Sequence, residues 1–139
     1  MRFMMIVKAS KDSEAGKMPS DEMFDTMGKH NEELLKAGVL VDLSGLKPSS
    51  QGFRVKISGG KRTIVDGPFT ESKELIAGYW IINVKSREEA VEWAKKIPAT
   101  QPNEEGEVEV RPFFELEDFP PSPAIERMRA RREDFEKKK

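Results

Sequence analysis

Between Val65 and Glu74 the chain runs Val-Asp-Gly-Pro-Phe-Thr-Glu-Ser-Lys-Glu, so one acid, a sharp turn and three further charged groups fall close together. Asp66-Gly67-Pro68 must turn, because glycine reaches conformations closed to other residues and proline fixes its own φ. An aspartate at such a turn can accept hydrogen bonds from the amides just ahead of it, which would hold its carboxylate still. Asp66 is therefore either a turn former or a positioned proton-transfer group. Glu71, Lys73 and Glu74 can pair among themselves or with Arg54 and Arg62, and exposed pairs of that kind contribute little; the other role for Lys73 and Glu74 is to meet a charged ligand. The one histidine, His30, sits on an apolar stripe, where its ring must find a partner or cost about 1–3 kcal/mol. It is either a hydrogen-bonded core residue or, if it reaches Asp66, half of a pair able to move a proton near neutral pH. Tyr79 is either a core aromatic or a hydroxyl that orients a ligand.

Together with Ala77-Gly78-Tyr79-Trp80-Ile81-Ile82, the run from Val65 to Glu74 closely resembles the signature of the DGPF proteins, a branch of the YCII-related family. The resemblance extends from Met1-Arg2-Phe3-Met4 to about Phe119. It implies a ferredoxin-like fold that pairs into a dimeric α+β barrel, with the Asp66 segment beside a cleft. The wider family is noted for a His–Asp dyad, whereas similar DGPF proteins carry aromatic residues at the position matching His30. The YCII-related group includes chloromuconolactone dehalogenases, and the same barrel serves muconolactone isomerases and cofactor-free oxygenases. DGPF proteins are often encoded near extracytoplasmic-function sigma factors. Two functions follow from the resemblance. One is a cofactor-independent enzyme in which Asp66 and His30 do acid/base chemistry on a small anionic or carbonyl-bearing molecule held by Lys73, Glu74 and Tyr79. The other is a non-enzymatic small-molecule-binding or regulatory module associated with sigma-factor signalling.

Composition narrows the field. At 139 residues with 37% hydrophobic side chains, the chain fits one domain with a modest core. Lys and Arg number 24 against 25 Asp and Glu, so no global field attracts nucleic acid or an acidic membrane, and the expected partners are a small molecule and a second copy of the chain. The absence of cysteine excludes disulfides and thiolate metal sites, and a single histidine cannot make a multi-histidine zinc site, so no cofactor or metal is expected. No phosphate-binding glycine loop or metalloprotease helix motif is present. The apolar run from Phe3 to Val7 is too short for a signal or a membrane span, which points to a cytoplasmic protein.

Periodicity supplies the elements that must position these groups. Arg2 to Ala9 has the unbroken apolar pattern of a strand buried on both faces. After a polar loop from Lys11 to Lys17, Ser20 is a helix N-cap, Met23, Met27, His30 and Leu34 share a stripe, and Gly38 stops the helix after Ala37. Val39 to Leu46 is a second strand. Residues 53 to 65 form a hairpin turning at Gly59-Gly60, whose exit delivers Asp66. A single helical turn is expected over Thr70 to Leu75, then a strong strand from Ala77 to Val84. Ser86 and Glu89 have the spacing of a capping box for a second helix ending near Ile97, and Glu107 to Phe114 alternates as the last strand. Without the hairpin this order is the ferredoxin-like βαββαβ plan, an α+β fold. Phe3, Met5, Val7, Tyr79 and Ile81 alternate with Met4, Ile6, Trp80 and Ile82, leaving both sheet faces apolar, so a second copy is expected to stack on the open one. Residues 1–119 form the domain and 120–139 a charged tail, in which Ile125, Met128 and Phe135 recur at helical spacing; interspersed acids argue against a phosphate-tracking arm.

Overall fold

A computed structural model describes residues 1–71, 73–99 and 106–138. The main sheet has four strands in the order β2 (Leu40–Gly45), β5 (Ile76–Asn83), β1 (Arg2–Lys8), β6 (Val108–Pro112), and all neighbours are antiparallel. Two helices belong to the ferredoxin-like frame, α2 (Asp21–Lys36) after β1 and α3 (Arg87–Lys95) after β5. The strands β3 (Phe53–Ser58) and β4 (Lys61–Asp66) form a separate two-stranded sheet between β2 and β5 in the chain. The expected α+β plan with an inserted hairpin is what the chain adopts.

Register decides which side chains share a face. Phe3 pairs with Ile82 and Met5 with Trp80, and these four are buried with Leu34, Val39, Val84 and Ala90 in the core between helices and sheet. Met5, Leu34 and Ile82 are sealed from solvent, each stabilising the fold by roughly 1.5–3 kcal/mol. Met4 pairs with Ile81 and Ile6 with Tyr79 on the opposite, open face, where all four are half-buried. The sequence grouping of Tyr79 and Ile81 with Phe3 and Met5 is thus out of phase. Alternation within one strand says nothing of its phase relative to another, which the pairing register sets.

Helix α2 begins where expected, with the Ser20 hydroxyl accepting from the Met23 amide. It ends in a Schellman closure: Gly38 adopts φ 73°, its amide bonds the Leu35 carbonyl and the Val39 amide bonds that of Leu34. Leu34 and Val39, the pair flanking this closure, both enter the core. Helix α3 has half of the expected box. Ser86 accepts from the Glu89 amide, but the Glu89 carboxylate reaches the Lys85 amide rather than that of Ser86. The loop after β1 contains an unexpected one-turn helix α1 (Lys11–Glu14), closed by reciprocal bonds between Ser10 and Ser13. Residues 71–74 close a turn through the Glu74 amide and Glu71 carbonyl, rather than a helix; residue 72 of that expected element lies outside the described residues. The tail forms helix α4 (Pro123–Lys137), tied back by Arg129 to Glu117 at 3.4 Å.

Two glycines make opposite predictions. A Cβ on Gly67 would run into the Ser49 carbonyl oxygen, whereas one on Gly28, in the exposed middle of α2, meets nothing. In chemical denaturation, Gly67→Ala should lose about 1–3 kcal/mol through forced backbone movement, and Gly28→Ala should gain about 0.5–1 kcal/mol from helix propensity.

Candidate functional site

The turn at Asp66 is held from outside. The Ser49 hydroxyl accepts from the Phe69 amide at 3.1 Å and donates to the Glu14 carboxylate at 2.6 Å, while both Glu14 oxygens accept from the Ser49 amide at 3.2 Å. Gly67 donates its amide to the Gly52 carbonyl at 3.0 Å. The Arg54 guanidinium lies 3.7 Å from the centre of the Phe69 ring and 3.7 Å from the Glu71 carboxylate. Of the amides just ahead of Asp66, that of Gly67 goes to Gly52 and that of Phe69 to Ser49, while Pro68 has no N–H to offer. Among the described residues the exposed Asp66 carboxylate has neither a hydrogen bond nor an ion pair. Glu14 and Ser49, not singled out in the sequence, organise this loop; they are 35 residues apart, so only the three-dimensional structure brings them together.

His30 lies elsewhere. It is buried at 4% exposure on the core face of α2, with its ring edge-on to Trp80 at 5.3 Å, and among the described residues neither ring nitrogen finds a hydrogen-bond partner. Burial pushes its pKa below the ordinary 6.5; Glu33, the Asn31 side chain and the Trp93 backbone oppose the shift, and Lys96 adds to it. Asn31 instead accepts from the Trp80 indole at 2.8 Å. Tyr79 stands on the other face of the sheet, donating to Asp42 at 3.1 Å, and that carboxylate raises the pKa of the phenol. Lys73 and Glu74 are exposed, and among the described residues neither forms an ion pair. The structure thus keeps His30 and Tyr79 on opposite sides of the sheet and forms no His30–Asp66 hydrogen bond.

A different constellation is concave. Between α3 and the edge strand β6 lies a groove of about 450 Å³, a volume typical of small-molecule sites. Its floor is Phe3, Val108 and Val110, and its helix wall is Ala90, Val91 and Ala94, whose small side chains leave the space open. Arg87 and Lys95 lie at the two ends of that wall, and among the described residues no carboxylate lines the groove. Lys95 has a 3.7 Å exposed pair with Glu92, while Arg87 has no ion pair among the described residues. A second hollow of about 370 Å³ at the end of the sheet also has a cation, Arg2, but Glu115 already engages it through two bonds at 3.0 and 3.1 Å. That guanidinium holds the Glu115 carboxyl below its usual range. Arg87, Ala90, Val91, Ala94 and Lys95 fall on one helical face, with nothing bulkier than valine between the two cations.

Fold and surface together define a ferredoxin-like α+β domain with a hairpin insertion and a groove under its second helix. The YCII-related domain matches residues 1–116, and the chain belongs to that family. It is also similar to an uncharacterised protein of Rhizobium meliloti (strain 1021), with 33% identity over 79 residues. That match covers 57% of this chain and 63% of the relative, so the chain spans less than two thirds of the length of this curated protein. Among the described residues no helix is long and apolar enough to cross a membrane.

The buried imidazole gives a test by pH. With the folded pKa below the unfolded one, the unfolded chain binds the proton more readily, so the His30 contribution to stability is intact above pH 6.5 and is lost as pH falls toward the folded value. His30→Phe keeps a ring against Trp80 and removes both nitrogens. Denaturation between about pH 7 and pH 5 should show a shallower acid loss in the variant, with stability at neutral pH unchanged or higher by about 1 kcal/mol.

Proposed function

We propose that this chain is a non-enzymatic small-molecule-binding module whose ligand is an amphipathic carboxylate held in the α3–β6 groove. The observation that carries this function is the groove itself: an apolar hollow with Arg87 and Lys95 at its ends and, among the described residues, no acid in its lining. An apolar body would replace water over Phe3, Val108 and Val110, and the carboxylate would meet Arg87, whose planar fork suits it. Acid/base catalysis would instead need a positioned donor and acceptor within reach of one substrate. His30 is sealed in the core and Asp66 is exposed on a different sheet, which favours binding over turnover. The module works as a homodimer stacked through the open sheet face, where Met4, Ile6, Tyr79 and Ile81 form an apolar centre beside the polar pairs Tyr79–Asp42 and Lys8–Glu109.

Thermal shift with octanoate and phenylacetate, each against its neutral amide, tests the binding. The acids should raise the melting temperature, with a stabilisation of about 2.7 kcal/mol when ligand is near a hundred times Kd. Arg87→Ala should abolish the preference for acid over amide, and Ala94→Phe, which fills the groove, should abolish both effects. Equal stabilisation by the amides, or full binding by Ala94→Phe, would remove this proposal.

A further inference from the structure

The β3–β4 hairpin has two unlike faces. Cross-strand partners share a side, so Phe53, Val55 and Ile57 of β3 lie beside Asp66, Ile64 and Arg62 of β4. The other side carries Arg54 and Val65, and it leans on the chain's own loop through Arg54 over Phe69. Among the described residues the first side has no such cover: Phe53 is 63% exposed, Val55 45%, Ile57 68% and Ile64 59%. Four large apolar side chains on one face of a two-stranded ribbon are more than a ribbon of that size ordinarily leaves in water.

The charges bounding that row say what covers it. Arg62 stands at one end of the β4 row and Asp66 at the other, with Ile64 midway, and among the described residues neither charge has an ion-pair partner. A two-fold axis in the plane of contact, perpendicular to the strands and passing between Val55 and Ile64, sets Ile64 on its own symmetry mate and Val55 on its own. The same rotation sets Phe53 against Ile57 of the other copy and Arg62 against Asp66 of the other copy. The surface is therefore complementary to itself in both shape and charge, the property that an isologous contact requires.

We infer that the β3–β4 hairpins of two copies pack face to face about this axis, with Arg62 of each copy paired to Asp66 of the other. The contact goes beyond the ligand groove and uses none of the open sheet face. It also gives Asp66 a role in assembly that the turn itself does not supply.

The sequence contains no cysteine, so one introduced thiol is unique. Ile64→Cys in the full chain, treated with a short bismaleimide at micromolar protein, should give a covalent dimer, while Lys56→Cys on the opposite face should not. In the Ile64→Cys background, Arg62→Asp or Asp66→Arg alone opposes like charges across the axis and should lower the dimer yield about tenfold. The double reversal, Arg62→Asp with Asp66→Arg, should restore it. Cross-linking equal at residues 56 and 64, or a double reversal no better than either single one, would overturn the inference. Circular dichroism of each variant separates a lost contact from a lost fold.

Discussion

The pairing of β1 with β5 is the interaction on which the rest of the molecule depends. These two strands are the centre of the sheet, and their register puts Phe3, Met5, Trp80 and Ile82 on one side. Helix α2 closes over that side through Leu34, His30 and Asn31, the last two meeting Trp80 by ring contact and hydrogen bond. Helix α3 adds Ala90 and, being thin along that wall, leaves the groove against β6. A one-residue slip between β1 and β5 would set Phe3 and Met5 on the face opposite to Trp80 and Ile82 and split the core.

Much of this was legible because it rests on local chemistry. Ser20 as a cap, Gly38 as a stop and Gly59-Gly60 as a hairpin turn each act within a few residues of themselves, so sequence spacing reveals them. The order of strands and helices followed, and with it the ferredoxin-like plan. What escaped was long-range. The phase between β1 and β5 depends on which residues face one another across the sheet, and the bond from Ser49 to Glu14 joins segments that nothing in their own neighbourhood links.

The candidate residues divide along the same line. A lone histidine on an apolar stripe and an aspartate in a turn invite a catalytic pair, yet their types say nothing of their distance. Trp80 occupies the edge of His30, and Ser49 takes the amide near Asp66, so each has a local structural setting of its own. The groove has no signature in the sequence because the residues that open it, Ala90, Val91 and Ala94, contribute the volume they do not fill. Its cations were visible, but only the position of β6 makes them face a hollow.

Placing the first strand at the centre has a consequence for how the chain is made. Arg2 pairs with Asn83 and Phe3 with Pro112, so β1 leaves the ribosome long before either neighbour exists. Until β5 emerges, its row of Met, Ile and Val has no partner strand, and the hairpin can close well ahead of the sheet that carries it. Contacts so distant in sequence slow folding relative to a helical bundle of this size. During synthesis β1 therefore waits without a partner strand until β5 emerges, and Phe3 to Val7 afterwards lie inside the sheet between β5 and β6.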